Sequence, residues 1–370
     1  MDLRRGARRA SRRGPARNRR ILIIGAGVVV VVAALIVSLV WFVGRDQSAS
    51  PGPAPVDPPA YTPAPVVTPA GVPTWPLTGL TGQGETRPAI AVKVENSTAA
   101  RPQIGLEAAD LVYEQMVEGG ITRYIAVYHS QLPSQVVPVR SLRPMDGPIL
   151  APLGGLVAFS GGQARFVDRA QGLGLQMISN DAGDAGFSRV SSRSAPHNVA
   201  GDVNAFLAQA NGDHQAAPQS VFIYARAGQA SSTQLNGVPA NTVSIRISSS
   251  ATPRWEWNAE QARWLRFEGS KAAVNAAGQQ FGAVNVVALT VEVRNEGGLD
   301  PAGSPIPESI VVGQGSGLLA SGGAVQAITW SKADERAPMS FRDANGRPIR
   351  LTPGNTWIEL VPTTGEYTHQ

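Results

Sequence analysis

The segment VPVRSLRP (137–144) sets Arg140 and Arg143 three residues apart between prolines. Proline fixes φ and lacks an amide donor, so this is a stiff connector and not a regular helix or central strand. Guanidinium groups held on such a connector suit an oxyanion. Each is a planar fork of N–H donors matched to phosphate or carboxylate, and a stiff loop loses little entropy on binding. Arg123, expected on an adjacent strand end, would complete a three-arginine anion clamp. SGGQAR (160–165) would add backbone N–H groups at a helix start, with Arg165 as a further charge. Solvated loop charge is the competing reading.

A second constellation lies in LVYEQMVEGGITRYIAVY (111–128), two alternating runs around Gly119–Gly120. A glycine pair between such runs signals a hairpin. A two-residue loop pairs Glu118 with Ile121, Met116 with Arg123 and Glu114 with Ile125, placing all six side chains on one face. Glu114 and Glu118 would then flank Arg123, either preparing it for a ligand or forming an internal ion-pair cluster. A one-residue change in the turn would separate them.

RSAPHN (193–198) contributes His197, able to act as a base or ligand donor, and Asn198, a turn or capping residue. The chain has four histidines, none at metal-ligand spacing. Asp110 and Asp146 flank the arginine region and could hold a divalent cation beside a pyrophosphate. No G-x-S-x-G, H-E-x-x-H or P-loop motif is present, so no catalytic residue, metal site or cofactor is assigned. Trp255, Trp257 and Trp264 fit a β core first and a glycan-stacking surface second.

The elements that must position these residues fall in two regions. Residues 76–215 carry a strand at 88–96; a short helical turn, strand, glycine turn and second strand over 105–130; a short helix near 145–152; a strand, a Gly-Gly break and a glycine-closed helix over 155–174; and a helix at 202–211 capped by Asp202. This predicts an α+β or α/β domain. Residues 216–362 are mostly strand and turn, a β-rich domain, with Asn345–Gly346 as a tight turn. Residues 363–370 are expected to be a frayed tail.

Ahead of them, residues 45–75 hold nine prolines among Ala, Val and Thr, the composition of an extended spacer. Residues 21–44, ILIIGAGVVVVVAALIVSLVWFVG, contain no charged residue, long enough to cross a ~30 Å hydrocarbon core. Residues 1–20 hold nine arginines against one acid, which keeps that tail cytoplasmic. The result is a single-pass signal anchor with the C-terminal domains extracytoplasmic. The GAG at 25–27 lacks the rest of a dinucleotide fingerprint. The net charge of +5 belongs to the tail, since the remainder has 23 basic and 26 acidic residues, so nucleic acid is not expected to bind the ectodomain. With no cysteine, disulfides, thiolate sites and a lipid-modified N-terminal cysteine are excluded.

RPAIAVKVENSTAARPQIGLEAADLVYEQMVEGGITRYIAVYHSQLPSQVVPVRSLRP (87–144), SAPHN (194–198) and ITWSKADERAPMSFRDANGRPIRLTPGNTWIELVP (328–362) resemble the YerB-like family of bacterial envelope proteins. The resemblance implies a two-domain exported protein, in a family whose molecular function is not established. Many relatives look like lipoproteins, an anchor this cysteine-free chain does not share. VAFSGGQARFVDRAQGLG (157–174) is similar in pattern to LytR-CpsA-Psr envelope transferases, which hold polyprenyl pyrophosphate with arginines. Three readings follow. The first is an envelope protein binding an anionic component such as lipid-linked pyrophosphate, glycopolymer or peptidoglycan precursor. The second is a scaffold for envelope proteins, and the third a transferase. The oligomeric state is left open.

Overall fold

The computed structural model describes residues 72–82, 86–300 and 302–370. The expected cytoplasmic tail and membrane span, and most of the proline-rich linker, lie outside the described residues. Among the described residues no helix is long and apolar enough to cross a membrane.

The first strands are β1 (Ile90–Glu95), β2 (Leu111–Met116), β3 (Thr122–Tyr128), β4 (Leu156–Phe159), β5 (Gln176–Ser179), β6 (Phe187–Arg189) and β7 (Val199–Gly201). Then come β8 (Val238–Pro239), β9 (Thr242–Arg246), β10 (Pro253–Asn258), β11 (Arg263–Glu268), β12 (Lys271–Ala272) and β13 (Gly282–Ala283). The last are β14 (Asn285–Leu299), β15 (Pro305–Ile310), β16 (Gly313–Ser321), β17 (Ala324–Lys332), β18 (Ser340–Arg342), β19 (Thr356–Pro362) and β20 (Glu366–His369). The helices are short: α1 (Asp146–Leu150), α2 (Ala164–Gly172), α3 (Val203–Leu207) and α4 (Ser232–Asn236). The fold is therefore β-rich. The expected α/β character of the first region is confined to the parallel β1–β4–β5 run, with α2 between β4 and β5, beside antiparallel β1–β3 and β3–β2 pairs.

Ten strands run in the order β18-β17-β16-β14-β19-β2-β3-β1-β4-β5, with β15 and β8 attached to β14 and β17. The join between the two halves of the chain is the parallel β19–β2 pair, which sets Glu359 beside Glu114. A second sheet, β12-β11-β10-β9-β20 with β13 on β11, packs through Trp255 and Trp264 against one face of the first. Trp255 meets Trp357 of β19 edge-on at 5.1 Å between ring centres. These tryptophans are core, as alternation on β10 and β11 expects. The opposite face is covered by α1, α2 and the 339–351 segment.

Two expectations change. Residues 363–370 are not a frayed tail: β20 pairs with β9 and closes the edge of the second sheet. The β2–β3 hairpin is also one residue out of the expected register, with Glu114 opposite Tyr124 and Gln115 opposite Arg123. Gly119 and Gly120 both take positive φ, but the loop is three residues, Glu118–Gly120, closed by the Val117 N–H on the Ile121 carbonyl. An odd residue in the loop turns every following side chain to the other face.

Candidate functional site

That shift sends Glu114 and Arg123 to opposite faces, so the expected Glu114/Glu118/Arg123 cluster does not form. Glu114 points between the two sheets. There its Oε2 lies 2.6 Å from Arg266, whose guanidinium also meets Glu359 Oε1 at 2.8 Å and Glu268 at 2.9 Å. Arg266 is fully buried, ringed by Tyr124, Trp255 and Trp357, with its Cζ 5.5, 5.3 and 4.9 Å from their ring centres. Closed to solvent at Arg266, Glu114 and Glu359 and only slightly exposed at Glu268, this network bolts the second sheet to the first.

Arg123 lies on the other face, on β3, between Gln115 of β2 and Glu95 of β1. The VPVRSLRP segment crosses this face. It is anchored by the Arg140 N–H on the Lys93 carbonyl and the Leu142 N–H on the Gly161 carbonyl. Gly161 permits the crossing: it has φ +92°, and a Cβ there would lie 2.5 Å from Ser141 Oγ. The connector thus brings Arg140 and Arg143 close enough to Arg123 for their charges to act on it, which the residue spacing alone left open.

Their partners grade from inside to surface. Asp146, at the start of α1, takes Lys93 Nζ at 2.7 Å, Gln115 Nε2 at 2.5 Å and the Arg143 N–H at 2.7 Å. Burial pulls the Lys93 ammonium down to about 8 despite Asp146, and Arg123 and Arg143 add to the lowering. Glu118, curling back from the hairpin loop, meets Arg143 in two contacts of 2.7 Å. Arg123 is far less well served. Its Nη1 donates to the Ser141 carbonyl at 3.3 Å, Glu118 is 4.0 Å away, and its Nε has no hydrogen-bond acceptor among the described residues. Burial, then the charge of Arg143, lowers its guanidinium to about 10.

At the surface end, Arg140 Nε is 3.3 Å from Glu95 Oε2 but not aligned for a hydrogen bond. His197 Nδ1 sits 2.9 Å from both Glu95 oxygens. The Arg140 and His197 side chains are 23% and 27% exposed, whereas Glu95 behind them is 3% exposed. The cluster therefore opens to solvent at Arg140 and His197 and deepens toward Arg123. Four basic side chains, Lys93, Arg123, Arg140 and Arg143, face three carboxylates, Glu95, Glu118 and Asp146. The excess is positive.

Two residues expected in the site are elsewhere. Arg165 pairs with Glu296 at 2.9 Å and is largely exposed. Asn198 accepts from Arg189 at 2.7 Å and shapes the 190–198 loop. Asp110 does not share a cation site with Asp146: it accepts the His129 and Ser130 N–H groups at 2.8 and 2.7 Å. Sequence reasoning missed Glu95 and Lys93. They alternate with Ile90, Val92 and Val94 on a strand that proves to be buried on both faces, so alternation alone did not mark them.

A strand-rich protein of two joined sheets, with a partly exposed arginine cluster at one end of its central strands, is the class that fold and site define. Residues 77–216 match the family described as "Protein of unknown function (DUF3048) N-terminal domain", and residues 243–358 match its C-terminal domain. The chain belongs to this YerB-like family. A 71-residue stretch is 52% identical to "Putative lipoprotein YerB" of Bacillus subtilis (strain 168), covering 18% of this chain and 21% of that protein. The matched stretch thus spans about a fifth of the relative's length. The crystal structure of YerB protein from Bacillus subtilis superposes with a TM-score of 0.67 at 21% identity, over 80% of this chain and 99% of that one. At that identity the likeness is one of fold.

Proposed function

We propose that this chain is an envelope protein, anchored through residues 21–44 with its folded part outside the cytoplasm. In this reading it binds an anionic envelope component through Arg123, Arg140 and Arg143. The uncharged 24-residue run behind an arginine-rich tail supports the topology. The lipoprotein description of the Bacillus relative supports an envelope address, reached here by a membrane span since the chain has no cysteine.

The observation that carries the binding reading is Arg123. A guanidinium this deeply buried ordinarily has its donors filled, because an unmet buried donor costs about 1–3 kcal/mol or more. Arg123 keeps one long hydrogen bond and an Nε without an acceptor, directly behind two arginines, one of which reaches solvent. A phosphate-class oxyanion entering beside Arg140 supplies the missing negative charge. The ligand class is a phosphoryl or pyrophosphoryl group, as on a lipid-linked precursor or an anionic glycopolymer.

The test is a thermal-shift titration of the full chain with inorganic pyrophosphate, beside Arg140→Ala. A ligand that binds only the native state raises the melting temperature with RT ln(1 + [L]/Kd). A saturable shift that Arg140→Ala weakens at least tenfold supports the reading. No shift, or an equal shift in the variant, overturns it.

A further inference from the structure

His197 stands at the mouth of this cluster. Its Nδ1 is fixed on Glu95, and the same carboxylate lies 3.3 Å from Arg140 Nε. The loop carrying the imidazole is tied in place. Arg140 Nη1 reaches the Pro196 carbonyl at 3.5 Å, and Arg193 holds the Ala100 carbonyl at 2.6 Å and also bonds the Pro102 carbonyl. Ser97 Oγ donates to Glu95 at 2.7 Å and helps hold the carboxylate. The charged groups around the imidazole are thus Glu95 on β1, Arg140 on the connector, Arg193 on its own loop, and Arg123 behind Glu95. The second ring nitrogen, Nε2, has no partner among the described residues, and the side chain is 27% exposed on the side where Arg140 opens.

With Nδ1–H donated to Glu95, neutral imidazole presents Nε2 as an acceptor, which repels an oxyanion. Protonated imidazole presents an N–H and a positive charge. Resting on the anion-binding reading above, we infer that His197 is the proton-dependent ligand contact of this site, so that the oxyanion binds together with one proton. Glu95 is its positioning residue: it fixes the ring and carries the counter-charge in the unliganded state. An oxyanion at Nε2 favours the protonated ring, and linkage returns the same factor to the anion. Affinity should therefore fall at least tenfold between about pH 5.5 and about pH 8.

Sulfate is the right probe, because it does not itself titrate there. Its affinity for the full chain would be measured by calorimetry at about pH 5.5 and about pH 8, beside His197→Gln and Glu95→Gln. The expected result is a drop of at least tenfold in the parent protein and a nearly flat profile in His197→Gln, with weakened binding remaining at low pH. Glu95→Gln, which keeps the ring's hydrogen-bond acceptor, should leave a smaller pH dependence than the parent. Sulfate binding that is flat with pH, or that falls equally in His197→Gln, overturns this inference and leaves the anion site standing. The same holds if sulfate fails to bind while pyrophosphate binds in an Arg140-dependent way. No binding of either anion overturns both.

Discussion

Arg266→Met would leave Glu114, Glu268 and Glu359 facing one another without the guanidinium that now touches all three. Removing one member of a buried ion pair costs about 3–5 kcal/mol, because the charge left behind remains desolvated. For a unit of this size about 2 °C of melting temperature corresponds to 1 kcal/mol, so the variant should melt ~6–10 °C lower at neutral pH. The two glutamates nearest the guanidinium should then behave oppositely. Burial pushes Glu114 up, but the charge of Arg266 and hydrogen bonds from its neighbours, Thr122 among them, outweigh this and hold it below the usual carboxylate range. Burial, then the charge of Glu114, raises Glu359 well above that range, which favours its protonated form. Its Oε2 has no donor in reach and shares that proton with Glu114, while its Oε1 accepts from Arg266 at 2.8 Å and Trp255 at 3.1 Å. Counting Arg101, which pairs with Glu268 at 3.0 Å, the network is then neutral: two cations and two carboxylates.

Glutamine imitates a protonated glutamate. Glu359→Gln keeps both accepted bonds and donates an N–H toward Glu114, whereas Glu114→Gln deletes a charge that Arg266 needs. The folded-state value of Glu359 lies above its unfolded value, so its ionisation favours unfolding increasingly as pH rises past the unfolded carboxylate value. Glu359→Gln escapes that penalty. For Glu114 the sign reverses: its stabilisation is present above the unfolded value and lost as pH falls through the depressed folded one. Melting curves at about pH 5 and about pH 8 should therefore show Glu359→Gln equal to the parent at the lower pH and above it at the higher. Glu114→Gln should fall several degrees below the parent at both. If Glu359→Gln melts as low as Glu114→Gln at about pH 8, the shared proton is refuted. If Arg266→Met melts within about a degree of the parent, the network does not hold the sheets together.

Arg143→Ala strips Glu118 of its two close contacts and should cost about 3 kcal/mol, whereas Arg140→Ala, partly exposed, should cost less than about 1 kcal/mol. Urea denaturation separates the two, and equal losses would mean that the cluster is a single structural unit. Lys93 has a folded value of about 8, below its unfolded value, so the unfolded chain holds more protons between the two. Stability of the parent relative to Lys93→Met should rise as pH goes from about 8 toward about 10, again by urea denaturation. A flat or falling difference would show that burial does not penalise this ammonium.

Strand positions were legible in the residues wherever alternation was strong, as in β1, β3 and β19. The sequence offered Arg123, Arg140 and Arg143 as a set, but their approach depends on the connector crossing β1 and β3, which spacing alone did not settle. What failed was parity. Two adjacent glycines read as a two-residue loop, but Glu118 joins the loop, and that single residue moved Glu114 to the other face. Lys93 and Glu95 were not singled out; their burial depends on α1 and the connector, which are about 50 residues away in sequence. Arg266 drew no notice in the sequence, because only the stacking of one sheet on another puts it among three carboxylates. β20 was missed because a short polar segment becomes a strand only when β9 offers it an edge.

The most direct measurement is a crystal structure of the protein soaked in selenate, whose anomalous scattering marks the oxyanion. The proposed function predicts an anomalous peak within hydrogen-bond reach of Arg140 and facing Arg123, with His197 Nε2 turned toward it at acidic pH. The absence of a peak there, with Arg123 still unliganded while selenate sits elsewhere on the surface, would contradict it.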